Sequence, residues 1–271
     1  MVEGIYTVSG DLPGKTVTVM GGVHGDEPCG IVAIKSLIST FKPQQGKIHF
    51  IIANLRAIEQ NKRETEMNLN RAFRPSELLN PGQENSYERL RALELMPYLD
   101  ESEALLDIHS SMTVGSIPFI ICEPHSFDIA SRLPFTIISN GWDVIHPGGT
   151  DYYINKKGGK GICIECGYHL DEIAPTIAKN SILIFLDLMG LTNGAMPDQT
   201  LGQKKIYAHY VYHSKESFRL AKKFGDFEEI SQVTLIGTDD NTQVVAHEDG
   251  VVIFARERPG PDEAFVLARI I

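Results

Sequence analysis

Residues 14–30 read GKTVTVMGGVHGDEPCG. The first half is an alternating, β-branched run that fits a strand. The second half packs His24, Asp26 and Glu27 into four residues with glycines beside them. Directly downstream, IVAIKSLISTF (31–41) carries apolar residues at helical spacing, and KIHFIIAN (47–54) is a second apolar strand pattern. Strand, helix, strand predicts a βαβ unit in a mainly parallel sheet. The polar cluster then falls in the loop at a strand's C-terminal end, where ligand sites of open α/β sheets gather. Gly21, Gly22 and Gly25 leave the backbone free to turn left-handed or approach closely there. His24 and Glu27, three apart, offer one imidazole and one carboxylate to a single ion. Taken alone, the pair fits an ordinary polar turn as well as half of a metal site.

Outward from this unit, RAIEQNKRETEMNLNRAFRPSE (56–77) is too polar for the core and too long for a tight turn, a length usually reserved for functional or disordered connections. SYERLRALELMPYL (86–99) predicts an amphipathic helix capped by Ser86. EALLDIHSS (103–111), SIPFIICEP (116–124), PFTIISN (134–140) and GKGICIECG (159–167) read as strands. PTIAKNSILIFLDLMGL (175–191) reads as a helix with Pro175 near its start and Gly190 near its end. Beyond the linker-like LTNGAMPDQTLG (191–202), KIYAHYVYH, QVTLIG and TQVVAHEDGVVIFAR are short strand patterns, and SKESFRLAKKFG (214–225) is the one helix candidate. The expected class is α/β: a mixed, largely parallel sheet with flanking helices plus a small C-terminal β-rich domain. The expected division is residues 1–194 and 195–271.

The 271 residues are 42% hydrophobic and 22% charged, a globular balance with ample material for a core. A net charge of −10 disfavours nucleic acid and anionic membranes as partners, and no apolar run is long enough to span a bilayer. MVEGIYTVSGDLPGK lacks the basic and apolar parts of a secretory signal. Cys163 and Cys166 lie three apart in a strand pattern, so they point to opposite faces and do not clasp one metal. The four cysteines are expected to be reduced core residues of a cytoplasmic protein.

A catalytic zinc usually keeps three protein ligands and one open position. His109, closing the apolar run EALLDIHSS, is the best third candidate, provided its strand neighbours the one before His24. Asp107, two residues earlier on the same face, could orient a metal-bound imidazole. Glu165 interrupts an apolar strand; burial would raise its pKa into the range of a general base. A buried Glu paired with a cation is the plainer alternative. In the polar loop, Asn70 and Arg71 suit a carboxylate, and a second arginine suits an oxyanion. Lys156, Lys157 and Lys160 are either a mobile surface loop or a lip on an acidic substrate's site. His125, His146 and His169 read as solvated loop residues. His49, His209, His213 and His247 read as packing or surface groups.

In order along the chain, HGDE, NLRA, NLNRAF, DIHSS and IECG resemble the succinylglutamate desuccinylase and aspartoacylase family, zinc-dependent amidohydrolases related to the carboxypeptidase A fold. The resemblance covers roughly residues 15–190 and extends to the β-rich C-terminal plan. It implies one Zn2+ per chain on His24, Glu27 and His109, with Glu165 as general base and acid. It further implies Arg63 at the oxyanion and Asn70 with Arg71 on the substrate carboxylate. The expected substrate is a small anionic N-acyl amino acid or a short peptide, with no nucleic acid or membrane partner and homo-oligomer formation left open. A zinc carboxypeptidase acting on short peptides or cell-wall fragments, and a non-catalytic carboxylate-binding module, are the alternatives. One departure concerns substrate choice. Aspartoacylase-like members carry an arginine about ten residues before the catalytic Glu and a tyrosine in the C-terminal domain. Here Asn155 and the tyrosine-free FARERPGPDE (254–263) stand near those places.

Overall fold

The computed structural model describes residues 2–194 and 202–271. The N-terminal strands are Ile5–Ser9 (β1), Leu12–Gly21 (β2), Gln45–Ile52 (β3), Ala104–Ser111 (β4), Phe119–Ile121 (β5), Ile137–Asn140 (β6) and Lys160–Tyr168 (β7). Lys204–His213 (β8), Phe218–Leu220 (β9), Glu228–Ile230 (β10), Leu235–Asp239 (β11), Thr242–Val245 (β12), Gly250–Ile253 (β13) and Glu263–Ile270 (β14) follow. The α-helices are Pro28–Ile38 (α1), Leu55–Glu59 (α2), Tyr87–Asp100 (α3), Phe127–Ala130 (α4), Trp142–Ile145 (α5), Thr150–Lys156 (α6) and Ala174–Leu188 (α7).

Eleven strands form one mixed sheet in the order β1-β3-β2-β4-β7-β5-β6-β8-β14-β13-β10, and β12-β11-β9 form a small antiparallel sheet. The β3-β2-β4-β7 centre is parallel throughout. Every residue of β4 is buried, as expected of a strand covered on both faces. Alternation divides its side chains between two cores. Leu106 and Ile108 face α1 and α7, whereas Leu105 faces the core that includes α3. Asp107 and His109 share the parity of Leu105, so they lie on the α3 side.

Two glycines fix the crossing of α1 over β2. A Cβ on Gly21 would stand 2.9 Å from the Gly30 carbonyl carbon, and one on Gly30 would stand 3.0 Å from Ile108 Cβ. The close approach sets the start of α1 directly under the β2 loop that carries His24 and Glu27.

The helix expected at 214–225 is a strand in part. Phe218 and Leu220 alternate at period two, and β9 pairs with β11 through Gly237↔Leu220. Phe218 is fully buried against Tyr212 and Phe265, and that packing outweighs the helical spacing. The expected boundary between residues 194 and 195 falls at the edge of the undescribed segment, and most of the linker-like stretch lies outside the described residues. On its far side β8 pairs in parallel with β6, Ile137↔Lys204 to Asn140↔Tyr207, so the C-terminal strands β8, β14, β13 and β10 continue the same sheet.

Candidate active site

β2, β4 and β7 are consecutive neighbours, which brings three sequence-distant features to one edge. The loop after β2 supplies His24 and Glu27, and His109 and Glu165 face each other in register across β4 and β7. His24 (3% exposed), Glu27 (2%) and His109 (3%) offer donor atoms that all lie within 4.8 Å of one another. His24 Nδ1 lies 2.7 Å from Glu27 Oε1, and His109 Nδ1 lies 2.9 Å from Glu27 Oε2. The opposite ring nitrogens face oxygens as well. His24 Nε2 lies 3.2 Å from Asn68 Oδ1, and His109 Nε2 lies 3.1 Å from Asp107 Oδ2.

That arrangement tests the fit of a cation. Both Nδ1 atoms converge on the Glu27 carboxylate, and His109 Nε2 is buried with no hydrogen-bond partner; in the tautomer with the proton on each Nε2, the two Nδ1 lone pairs and the carboxylate would together offer their electrons to one cation. Burial, followed by the charge of Arg63, lowers His24 to about 4, so its ring is uncharged at neutral pH. Burial opposes charge on Glu27, but His24 and His109 outweigh it and hold its carboxyl well below the usual range. Burial also opposes a charged His109, yet Asp107 and Glu27 lift it well above an ordinary imidazole. Two imidazoles and one carboxylate, with oxygen partners behind both imidazoles, are a donor set that fits a catalytic zinc.

Glu165 is 8% exposed, and burial, reinforced by Glu27, pushes its carboxyl well above the ordinary value. Its Oε2 is buried with no hydrogen-bond partner. The plainer expectation, a buried Glu tied to a cation, is not what this atom does.

The polar loop is held by buried charges from α3. Glu88 is fully buried, and its carboxylate accepts hydrogen bonds from the Thr65 N–H (2.7 Å) and hydroxyl (2.7 Å) and from the Glu66 and Met67 N–H groups (both 3.2 Å). Arg89 donates to the Ala72 and Arg74 carbonyls at 2.6 and 3.0 Å. Ser86 caps this helix by accepting from the Arg89 N–H, as its sequence implied. Glu88→Ala would strand at least three backbone or hydroxyl donors. It is expected to lower unfolding free energy by about 3 kcal/mol, read as a fall in the urea midpoint against the exposed control Glu94→Ala.

So anchored, the loop delivers its expected residues. Arg63 Nη1 donates to Glu27 Oε1 at 3.2 Å, and the Asn70 side-chain oxygen accepts from the Thr150 N–H at 3.3 Å. Arg71 is already engaged, because its Nη2 donates to both Glu263 carboxylate oxygens at 3.1 Å. Burial works against a charged Glu263, but Arg71 outweighs it and lowers its pKa from 4.5 to about 2. A folded-state pKa below the unfolded one gives stability that is full above about pH 4.5 and lost as pH falls toward 2. Glu263→Gln is therefore expected to flatten the loss of stability between those values, measured as urea midpoints at pH 6 and pH 3. An unchanged acid slope would show that the ion pair contributes nothing.

Two histidines differ from expectation. His146, read as a solvated loop residue, lines the cavity 3.3 Å from Glu263, where burial lowers it to about 3. His169, read likewise, lies 2.9 Å from the Ser110 hydroxyl and is partly buried. Both positions depend on long-range packing that carries no local signature, as do those of Asn68, Glu88 and Glu263. Lys157 pairs with Asp100 and Lys160 with Asp128, while Lys156 lies over the Tyr152 ring; none of the three lines the cavities of the site. Asn155 bonds Asp143 and the Gly161 N–H.

Comparisons with known proteins follow this geometry. Residues 13–141 match the model of the succinylglutamate desuccinylase/aspartoacylase catalytic domain, a span that holds His24, Glu27, Arg63, Asn70, Arg71 and His109 but not Glu165. A probable aspartoacylase of Acaryochloris marina is 27% identical over 122 residues, 42% of this chain, and the match spans 41% of that relative's length. Among solved structures, a succinylglutamate desuccinylase/aspartoacylase from Rhodobacter sphaeroides superposes with a TM-score of 0.74 at 20% identity, covering 98% of this chain and 88% of that one. A succinylglutamate desuccinylase from Vibrio parahaemolyticus superposes with 0.78 at 16% identity, covering 99% and 86%. At these identities the structural likeness speaks for the fold.

Proposed function

We propose, from the premise that this chain belongs to the succinylglutamate desuccinylase/aspartoacylase family, that it is a zinc-dependent hydrolase cleaving the amide bond of a small N-acyl amino acid. The observation that carries this reading is the register His109↔Glu165. It sets a buried carboxyl with an unpartnered oxygen beside a His–Glu–His donor set. His24, Glu27 and His109 would hold the zinc. Bound there, the ion supplies Lewis acidity, lowering the pKa of water and polarising the amide carbonyl. Glu165 takes the proton of the attacking water and delivers it to the leaving nitrogen. Arg63 donates to the oxyanion that forms on the carbonyl oxygen. Asn70 and Arg71 hold the carboxylate of the amino-acid part, which requires that carboxylate to share Arg71 with Glu263 or to displace it.

The family likeness favours a small acyl amino acid over a peptide, and the cavity on the Asn70/Arg71 side, about 90 Å³, has room for a single amino-acid part. The reading places the protein in the cytoplasm, in keeping with four buried, unpaired cysteines. No helix among the described residues is long and apolar enough to cross a membrane. The test is amine release from a panel of N-acyl amino acids and short peptides by zinc-loaded protein. Release from acyl amino acids supports the reading, release from peptides alone transfers it to a carboxypeptidase, and metal uptake without any release leaves a binding module.

A further inference from the structure

Met112 and Val114, on the loop after β4, are 58% and 59% exposed, although they lie within five residues of the donor His109. Both stand outside the hydrophobic cores of the chain. A lone exposed apolar side chain needs no explanation, but apolar side chains gathered round a cavity beside a reacting centre mark a ligand groove. These two line such a cavity, of about 360 Å³, together with Leu220, Phe224, Phe254 and Ala255.

The location of this cavity indicates what fills it. It meets the smaller cavity, which contains Asn70 and Arg71, at a common wall of His24, Arg63, Glu165, Phe254 and Arg256. With the amide at the wall and the amino-acid part on the Asn70/Arg71 side, the acyl chain has the larger cavity to enter. Apart from the arginines of the wall, the cation lining it is Lys223, an exposed residue whose ammonium stays in water. Its volume falls in the range of roughly 300–1,000 Å³ typical of ligand pockets, so the two carbons of an acetyl group would leave most of it to water against apolar side chains. The walls are held in place. Phe224 is 2% exposed and anchored in the core that contains Phe218. Phe254 turns the chain out of β13 at a φ of +54°, a conformation disfavoured for a bulky side chain. Asp226 accepts from the Phe254 N–H at 2.8 Å and from the Ser116 hydroxyl at 2.6 Å, tying one wall to the loop that bears Met112 and Val114.

We propose that the preferred substrates carry an apolar, medium-length aliphatic acyl chain, seated between Met112 and Val114 on one side and Phe224 and Phe254 on the other. This rests on the hydrolase reading above and names the acyl group that the same site takes. Hydrolysis of the amide then releases a medium-chain carboxylic acid and a free amino acid. The driving force is removal of the chain from water, which grows with each methylene that the cavity can cover.

The test compares N-acetylglycine, N-butyrylglycine and N-hexanoylglycine, which share an amine part and differ only in apolar length. Dissociation constants are measured by calorimetry on the metal-free full chain, and kcat/KM on the zinc-loaded protein. Each added methylene is expected to raise affinity and kcat/KM about two- to fourfold, so that hexanoyl leads acetyl by roughly 15- to 250-fold. Val114→Asp, which sets a charge on the cavity wall, is expected to cut that lead about tenfold, and Phe224→Ser to cut it severalfold. If N-acetylglycine is bound and cleaved but N-hexanoylglycine is handled no better, or if the lead survives unchanged in Val114→Asp, the proposal is overturned while the hydrolase reading stands. If none of the three compounds is bound or cleaved, both fall. Should Phe224→Ser fail to fold, Val114→Asp decides, because Val114 is exposed and outside the cores.

Discussion

Replacing Glu165 with glutamine is expected to lower kcat about 10³-fold while changing KM little. Glutamine keeps the volume and a hydrogen-bonding oxygen at the end of the side chain, so packing in β7 should survive. It cannot take a proton from water or return one to the leaving nitrogen, the step that positioned acid–base groups accelerate by roughly 10²- to 10⁴-fold. The loss should come with a change of pH profile. A general base works only when deprotonated, so wild-type kcat/KM should rise with pH through the Glu165 pKa. That carboxyl is raised by burial and by Glu27, and a divalent cation on the neighbouring ligands pulls it back down. In Glu165→Gln this acid limb should disappear. Near-normal turnover in the variant would sink the assignment of the base.

The second large effect is on metal content. His24→Ala and His109→Ala should each leave less than about a tenth of the wild-type zinc after dialysis against a weak chelator, read by elemental analysis, with turnover lost in proportion. Each removes one of three donors from a buried site whose remaining carboxylate then faces a single imidazole. Asp107→Asn should be milder, weakening zinc about 10- to 100-fold, because it alters the group behind His109 and leaves the three donors present. Zinc content unchanged in both alanine variants would mean that the ligands lie elsewhere.

The sequence carried much of this in local form. Runs such as KTVTVMGG and EALLDIHSS have the signature of buried parallel strands, and their polar ends marked His24, Glu27 and His109 because histidine and glutamate are out of place beside such runs. Glu165 was legible for the same reason. Adjacency was not legible: that β4 lies between β2 and β7, with His109 opposite Glu165, follows from long-range pairing that the order of strands along the chain does not state. Nor was the partner of Arg71 legible, since Glu263 lies 192 residues further on. Arg256 was quoted within FARERPGPDE, but the burial of its Nε without an acceptor is a property of the folded surroundings. At 214–225, three lysines and an alanine suggested helix, and one buried aromatic, Phe218, settled the matter otherwise.

The four-residue seam between β6 and β8 has a consequence for how the molecule comes apart. The strands that carry His109 and Glu165 are locked by long parallel ladders and a fully buried β4, whereas β13 and β14, which bound the segment from Phe254 to Glu263, join the sheet through residues 137–140 and 204–207. Opening at that seam needs fewer backbone bonds broken than opening at the centre, so the two halves of the site belong to different levels of local stability. The segment that bears Glu263 is thus mounted on the looser part of the sheet, and the strands that bear His109 and Glu165 on the tighter part. Substitutions that weaken the β6–β8 pairing would shift the Arg71–Glu263 ion pair before they disturbed the His109↔Glu165 register.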